Sequence, residues 1–271
     1  MVKPICVACG TQFEEAVAPP DRCPICEDAR QFVGLDGQQW TTFEDLRGRH
    51  QIQIQMQERS LTSLHIEPTF GIGQRAFFLQ TSEGNILWDC LSIFDAATAD
   101  HIRRRGGLRY ICISHPHYYT SMVEWSREFG DVPILLHRDD TAWVQRSSPA
   151  IEFWSGENKR LIGGVKVVRC GGHFPGATVL SWPAGAEGKG VLLTADTIQV
   201  ASDRQNVGFM WSYPNWLPLG PQAAKRVVAA VEPYAFDRIY GAFPKLTIAT
   251  GGKQVLAKSL KRHLQAMSDR Q

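Results

Sequence analysis

The stretch Tyr110-Ile-Cys-Ile-Ser-His-Pro-His-Tyr-Tyr-Thr120 is an apolar run that ends abruptly in two histidines. Residues 110–113 form a short run with β-branched side chains, flanked by glycine and proline residues, a pattern typical of a buried strand. His115 and His117 then follow the C-terminal end of that strand, where ligands bind in layered α/β folds. Two imidazoles separated by one residue can converge on a metal ion, although two unrelated surface histidines would give the same pattern.

Two later stretches place further metal-binding side chains at predicted strand ends. Gly171-Gly-His-Phe-Pro-Gly176 follows the strand-like run 165–170 and puts His173 in a glycine-rich turn. Leu192-Leu-Thr-Ala-Asp196 ends another apolar run with a carboxylate. Three histidines and one aspartate, each at the end of a predicted strand, are the type of ligand set that binds zinc or iron.

This order of motifs resembles the metallo-β-lactamase fold superfamily: a strand ending in His-x-His, then Gly-His-x-Pro-Gly, then an aspartate after an apolar strand. The resemblance covers roughly residues 60–265. It implies an αββα sandwich. The pattern of strand runs interleaved with helical periods in both halves of the chain also predicts an α/β protein with two sheets packed face to face and helices outside.

Four of the seven cysteines form two Cys-x-x-Cys pairs, Cys6 with Cys9 and Cys23 with Cys26. This is metal-ligand spacing, and four thiolates can close a tetrahedral site that folds a segment with few large apolar residues. The pairs resemble the knuckles of zinc ribbons and rubredoxins, so the metal is zinc or iron. Surface disulfides are the alternative, which a reducing compartment disfavours. The other three cysteines lie in or beside apolar strands and are predicted core residues.

These patterns divide the chain into three parts. Residues 1–35 are a predicted four-cysteine zinc-ribbon-like module, residues 36–50 a linker, and residues 51–271 a metallo-β-lactamase-like domain. A chain of 271 residues with 44% hydrophobic content is long enough to bury a full core in the larger domain.

The linker and the start of the larger domain carry clear local signals. Thr41-Thr-Phe-Glu44 predicts a capping box at the start of a short helix. The strict alternation from Gln51 to Gln57 predicts a strand with Ile52, Ile54 and Met56 packed on one face. Further strands are predicted at 61–66, 75–80, 85–89, 110–113, 133–136, 165–170, 178–182, 190–195 and 236–240, and further helices at 95–105, 121–129, after Asp139/Asp140, at 221–231 and at 253–267.

Charge and hydropathy exclude several classes of partner. Lys and Arg number 29 and Asp and Glu 27, so the net charge is +2 and no nucleic-acid partner is expected. No apolar stretch reaches the ~18 residues that span a bilayer, and the N-terminal residues lack a secretion-signal pattern. We therefore expect a cytoplasmic protein without a membrane partner, and we leave homo-oligomerisation open.

The family's first signature is His-x-His-x-Asp-His, which supplies ligands to two metals. His115 and His117 match its first two histidines. Tyr119 and Thr120 stand where the aspartate and the third histidine would be. The first signature therefore retains ligands for one metal and lacks two ligands of the second.

The later signatures show the same partial retention. His173 matches the third histidine of the first metal, and Asp196 matches the carboxylate that bridges two metals in the family. Phe243 follows the final predicted strand, where the family has its last histidine. The resemblance thus implies a single metal held by three histidines and, as a further candidate ligand, Asp196.

A three-histidine zinc site leaves an open coordination position and can activate water near neutral pH. Hydrolysis of an ester, thioester, lactone or amide needs little more. Asp196 is a candidate catalytic base as well as a candidate ligand, with a helix or turn cap as the alternative. Tyr119 is a candidate donor to a developing oxyanion.

An aromatic loop follows the predicted Asp196 strand. It runs from Phe209 to Pro218 and contains Trp211, Tyr213 and Trp216. We predict that these three side chains line the pocket for a small-molecule substrate. The alternative is a satellite hydrophobic cluster under a long loop.

Three functions follow from these observations. The first is a hydrolase that uses one metal, and the second is a non-catalytic metal-binding or regulatory protein with a degenerate site. The third is a redox protein related to flavodiiron proteins, which combine this fold with a rubredoxin-like site. Its signature needs metal ligands at Tyr119, Thr120 and Phe243, which places this function last.

Overall fold

The structure is a computed structural model that describes residues 1–268. The chain divides into two compact units, the first formed by residues 1–136 and 140–154 and the second by residues 137–139 and those from 155 onward. The last three residues of the predicted domain 51–271 lie outside the described range. The predicted boundaries at residues 35 and 50 stay a prediction.

The first unit contains a two-stranded sheet and a seven-stranded sheet. In the small sheet β1 pairs with β2, and the strands of the large sheet, β3 to β9, lie side by side in chain order. The strands are β1 (Ile5–Cys6), β2 (Trp40–Thr41), β3 (Gln51–Glu58), β4 (Leu61–Glu67), β5 (Ala76–Thr81), β6 (Gly84–Trp88), β7 (Tyr110–Cys112), β8 (Ile134–His137) and β9 (Ile151–Trp154). The helices are α1 (Pro24–Glu27), α2 (Phe43–Arg47), α3 (Ala96–Arg103) and α4 (Met122–Glu128).

The centre of the large sheet positions the first histidine loop. Strands β3 to β6 are antiparallel, whereas β6, β7 and β8 run parallel. Ile111 and Cys112 are buried, and β7 has a hydrogen-bonded neighbour on each side. Parallel strands end at the same edge of a sheet, so Asp89 after β6 and Ser114 after β7 emerge together.

The second unit is built on a six-stranded sheet in the order β10-β11-β12-β13-β18-β19. Two hairpins, β14-β15 and β16-β17, accompany it. The strands are β10 (Asn158–Arg160), β11 (Lys166–Arg169), β12 (Thr178–Trp182), β13 (Val191–Ala195), β14 (Gln199–Val200), β15 (Val207–Gly208), β16 (Met210–Ser212), β17 (Leu217–Pro218), β18 (Arg238–Gly241) and β19 (Thr247–Ile248), and the helices are α5 (Pro221–Val231) and α6 (Gly252–Ala266).

The core of the second unit is formed between its sheet and its two helices. Helix α5 buries Ala224, Val227 and Val231, whose spacing of three and four residues puts them on one helical face. They pack in one cluster with Leu192 of β13 and Leu256 of α6. Full burial of an aliphatic side chain of this size contributes about 1.5–3 kcal/mol, so this core holds β13 and the residues that follow it in place.

Two predictions, one in the linker and one at the start of the larger domain, are wrong in detail. Helix α2 is capped by Thr42, whose hydroxyl accepts a hydrogen bond from the Asp45 N–H at 3.1 Å, because Thr41 is paired with Ile5 in the small sheet. Met56 is 76% exposed although it lies on the predicted apolar face of β3. Strand β3 is an edge strand with a single neighbour, and its alternation therefore does not bury every apolar residue.

Two further local predictions also need correction. Ser121 precedes α4, but its hydroxyl donates to the backbone oxygen of Ser92 at 2.8 Å and does not cap the helix. The predicted helix at Asp139 and Asp140 is a 3-10 segment, Arg138–Trp143. The predicted strands have no counterpart of β1, β2, β9, β10, β14 to β17 or β19. Within residues 1–268, no helix has both the length and the apolar character to cross a membrane.

Candidate metal centres

The first two predicted ligands lie on one short turn after β7. His115 precedes a 3-10 segment, Pro116–Tyr118, and His117 lies within it. Their residues are only 1% and 3% exposed, and their ring centroids are 5.2 Å apart. The chain therefore holds two neighbouring imidazoles away from solvent.

Hydrogen bonds from outside the turn fix this arrangement. The Asp89 carboxylate accepts the Ser114 N–H at 2.7 Å, and the Ser114 hydroxyl lies 2.9 Å from His115 Nδ1. The Gln74 side chain donates to the His117 backbone oxygen at 2.8 Å. Metal-binding histidines commonly use one ring nitrogen for such a contact and the other for the ion, so the contact at His115 Nδ1 is compatible with metal binding.

Sequence reasoning did not assign these supporting residues to the site. Asp89 gave one usable signal, since it is a carboxylate directly after the buried strand β6. Its backbone has φ = 64°, a left-handed conformation that aspartate adopts more readily than most residues. Gln74 and Ser114 gave no signal that separates them from ordinary polar residues.

The other two predicted ligands lie in the second unit. His173 follows β11 and Asp196 follows β13, and both residues are buried, at 1% and 4% exposure. The His173 Nδ1–H donates to the backbone oxygen of Trp211 at 3.0 Å. A carbonyl oxygen can only accept, so this bond sets the tautomer in which Nε2 carries the lone pair.

All four side chains form one group. His115, His117, His173 and Asp196 each offer one potential ligand atom, and these atoms all lie within 4.8 Å of one another. Three imidazoles and one carboxylate are a donor set that suits zinc and other divalent ions. The residues present therefore fit a metal ion.

Tyr119 has a different environment from these four residues. It is 2% exposed, and its hydroxyl donates to the backbone oxygen of Asp140 at 3.3 Å. Burial and the nearby Asp140 carboxylate raise the pKa of the Tyr119 phenol well above its ordinary value. The phenol is thus protonated at neutral pH, so it can donate a hydrogen bond but cannot act as a base. Its catalytic role stays a prediction.

The aromatic loop is partly a hairpin, and its predicted substrate-binding residues fall into two places. Trp211 contributes the backbone oxygen that accepts from His173. Tyr213 packs edge-on against the His173 ring, with centroids 5.7 Å apart, and its hydroxyl donates to the backbone oxygen of Asp196 at 2.7 Å. Trp216 is 84% exposed. Contact of these residues with a substrate stays a prediction.

The four cysteines form the second group of potential ligands. All four are buried, and the Sγ atoms of Cys6 and Cys26 are 3.5 Å apart, while those of Cys9 and Cys23 are 3.7 Å apart. A tetrahedron with metal–sulfur bonds of ~2.3 Å has sulfur–sulfur edges of about 3.8 Å. The sulfur positions therefore fit one tetrahedral ion and are too far apart for disulfides, and all seven cysteines are free.

Contacts among the four sulfurs lower the thiol pKa of Cys6 and Cys23 and raise the thiol pKa of Cys9 and Cys26. The Gln38 amide donates to Cys6 Sγ at 3.3 Å. Hydrogen bonds with Cys23 and Cys26 hold the pKa of the Cys6 thiol far below its ordinary value. Metals bind the thiolate, so the lowered pKa of Cys6 suits a metal ligand.

The comparison with known sequences finds a full-length relative. The chain is 44% identical over 266 residues to "Uncharacterized protein YmaE" of Bacillus subtilis (strain 168), an alignment that spans 97% of this chain and 96% of YmaE. No protein-family model matches the chain.

The comparison with solved structures identifies the fold. The crystal structure of the metallo-β-lactamase DIM-1 exposed to ceftazidime matches with a TM-score of 0.57 at 13% identity, over 79% of this chain and 98% of DIM-1. TMB-1 matches with a TM-score of 0.60 at 13% identity, over 80% of this chain and 99% of TMB-1. The mono-zinc form of the metallo-β-lactamase FIM-1 from Pseudomonas aeruginosa matches with a TM-score of 0.58 at 12% identity, over 79% of this chain and 96% of FIM-1. The predicted metallo-β-lactamase-like fold, with a four-cysteine cluster near the N-terminus, is confirmed.

Proposed function

The chain belongs to the same family as YmaE of Bacillus subtilis, and we propose that it is a hydrolase that uses one metal ion held by His115, His117, His173 and Asp196. One observation carries the proposal: four buried side chains of metal-binding type bring their ligand atoms within 4.8 Å of one another. We propose a small-molecule substrate with an ester, thioester, lactone or amide bond, and a cytoplasmic location without nucleic-acid or membrane partners.

A divalent ion bound there, zinc in our proposal, would supply Lewis-acid activation of water at neutral pH. The chain's own residues prepare the site. Ser114 and the Trp211 carbonyl engage the Nδ1 atoms of His115 and His173, so Nε2 of each ring would be the atom that holds the ion. The Asp196 carboxylate is the group we assign as fourth ligand and as acceptor of a proton from the attacking water.

The residue types around the group support one metal ion. Tyr119, Thr120 and Phe243 occupy the positions that would complete a second site, and none of them is a common zinc ligand. Among residues 1–268, the only groups of three or more His, Cys, Asp or Glu side chains suited to a metal are this one and the four cysteines. A mononuclear centre is therefore the form that the described residues support.

We assign the four-cysteine site a structural role. Its ligands are buried in a small cluster with Phe13 and Ile25, and four thiolates complete a tetrahedron without an open position. We propose zinc for this site, with iron as the alternative, because both metals accept four thiolates.

The test is a panel of ester, thioester, lactone and amide substrates. We expect His173→Ala to abolish turnover, because losing one ligand removes the geometry that activates water. Tyr119→Phe is the matched control, since the Tyr119 hydroxyl already donates to Asp140 and its loss should cost at most ~10²-fold.

The outcomes separate the candidate functions. Turnover that survives in His173→Ala would show that the metal is not catalytic and would end the hydrolase proposal. A parent chain that binds metal but hydrolyses nothing on the panel would favour the non-catalytic metal-binding function. Iron at the four cysteines together with reversible reduction would favour the redox function.

A further inference from the structure

Tyr213 lies between β16 and β17 and contacts two predicted metal ligands. Its hydroxyl donates to the Asp196 backbone oxygen at 2.7 Å. Its ring packs against the His173 ring at 5.7 Å between centroids, with an interplanar angle of 62°. One side chain thus touches both ligands that the second unit contributes.

The turn that carries Asp196 has an unfavourable backbone conformation. Ala195 has φ = 45°, in the left-handed region that residues with a side chain rarely adopt. The pairing of β13 with β18 also shifts register between Leu193 and Ala195. Such a turn keeps its shape only when surrounding contacts hold it. The Thr194 hydroxyl provides one such contact inside the turn, by donating to the Ile198 backbone oxygen at 2.7 Å.

The β16-β17 hairpin provides a second contact, from outside the turn that carries Asp196. Tyr213 fixes the Asp196 backbone oxygen, and the adjoining Trp211 oxygen fixes the His173 ring. The two bonds come from residues two positions apart, so a single rigid segment sets the orientation of both ligands. The hairpin thus restrains the backbone of Asp196 and the ring of His173 through two neighbouring residues.

We propose that Tyr213 is a positioning residue that preorganises Asp196 and His173 for the metal ion. The inference rests on the metal site of the proposed function, and it goes beyond a substrate-contact role for the aromatic loop. Positioning bonds of this kind change metal affinity by about 10–100-fold when they are removed. Tyr213→Phe deletes the hydroxyl and keeps the ring, so it isolates the hydrogen bond to Asp196.

The experiment measures zinc affinity in the full chain by competition with a chromophoric chelator. A parallel titration with cobalt in place of zinc makes the four-cysteine site an internal reference, because its cobalt form absorbs through thiolate charge transfer and the histidine site has no thiolate ligand. We expect Tyr213→Phe to weaken the histidine site about tenfold and to leave the cysteine site unchanged. Trp216→Phe is the matched control from the same hairpin, and its exposed ring predicts no change.

A second measurement separates positioning from general support of the fold. Urea unfolding of the metal-free parent and variant reports what the hydroxyl contributes without an ion. Zinc affinity of Tyr213→Phe within about twofold of the parent would overturn the proposal. Equal losses of stability with and without metal would also overturn it. A parent that hydrolyses nothing, combined with a tenfold affinity loss in Tyr213→Phe, would sink the hydrolase function and keep this inference.

Discussion

The backbone N–H of Gln12 donates to the backbone oxygen of Thr120 at 3.0 Å. Gln12 lies between the two cysteine pairs, and Thr120 closes the turn that carries His115 and His117. A second contact has the same effect, since the Ser92 hydroxyl donates to the Gly10 backbone oxygen at 2.9 Å. The cysteine segment is therefore hydrogen bonded to the loops beside the first two histidines.

We expect Cys23→Ser to release one metal ion and to loosen residues 1–35, while the larger domain stays folded. In a segment this small, metal binding and folding are the same free energy. Metal analysis and amide hydrogen exchange measure the two effects, and the Gln12 amide should exchange faster. Cys90→Ala is the control, since Cys90 is buried outside the cluster. Unchanged metal content in Cys23→Ser would refute the structural role.

The whole chain should bind two metal ions, one at each centre. We expect elemental analysis to give two equivalents for the parent chain and one equivalent each for Cys23→Ser and His173→Ala. A structure with two ions ~3.5–4 Å apart beside Asp196 would contradict the single-metal assignment.

Asp89→Ala should lower the free energy of unfolding by about 1–3 kcal/mol, because the buried Ser114 N–H loses its acceptor. The left-handed backbone at Asp89 adds a cost for alanine. Asp89→Asn is the matched control, since asparagine can accept the same hydrogen bond and tolerates this conformation. Chemical unfolding of both variants measures the difference, and equal stabilities would count against the acceptor role.

The capping residue Asp95 should make stability depend on pH in the acid range. Burial raises the pKa of its carboxyl, whereas hydrogen bonds from the Ile52 and Thr98 N–H groups lower it. The lowering is the larger of the two effects, so the pKa lies below its ordinary value of 3.8. A carboxyl group whose pKa is lower in the folded state than in the unfolded state stabilises the fold at pH values above its unfolded-state pKa. This contribution is lost as the pH falls through the folded-state pKa.

We therefore expect Asp95→Ala to cost about 1 kcal/mol at pH 7, as for other helix caps. Asp95→Asn should cost less, because its side-chain oxygen still accepts. The difference in unfolding free energy between the parent and Asp95→Asn should stay constant from pH 7 to about 4. It should shrink at pH values below the unfolded-state pKa of the Asp95 carboxyl. Urea unfolding at a series of pH values tests this, and a difference that grows on acidification would contradict it.

Gly190 and Gly188 offer a matched pair for testing backbone packing. Both have left-handed backbones, with φ of 88° and 83°. A Cβ added at Gly190 would overlap the backbone oxygen of Ala235, whereas one at Gly188 meets no neighbour within 4 Å. We expect Gly188→Ala to cost about 1–2 kcal/mol through its backbone alone, and Gly190→Ala to cost ~1–3 kcal/mol more. Thermal unfolding that ranks the two variants equally would count against the predicted overlap.

The sequence predicted the parts of the site that rest on local pattern. Apolar runs that stop before His115, His173 and Asp196 mark strand ends, because a short apolar run bounded by polar or turn residues is typical of a buried strand. The Cys-x-x-Cys pairs identified the second centre because few other structures need that spacing. Helix α5 was predicted with its observed bounds, since its apolar period and starting proline agree.

The rest depends on contacts that leave no mark in the sequence. The acceptor for His173 is a backbone oxygen of Trp211, and every residue carries such an oxygen. The contact between Gln12 and Thr120 joins residues far apart in the chain through backbone atoms alone. Strand β10 is short and polar, and it is formed by pairing with β11 rather than by its own periodicity.

The parallel pairing of β13 with β18 has a consequence for the order of folding. Val191 is aligned with Arg238, although the two hairpins and helix α5 lie between β13 and β18 in the sequence. The two strands can therefore pair only after this long connection has closed into a loop. The entropy of closing so long a loop is lost before the pairing contributes any stability, which makes this step slow. β11, β12 and β13 can form a meander locally and early. We therefore expect the turn at Asp196, which follows the last strand of that meander, to acquire its final shape only when β18 docks, late in folding.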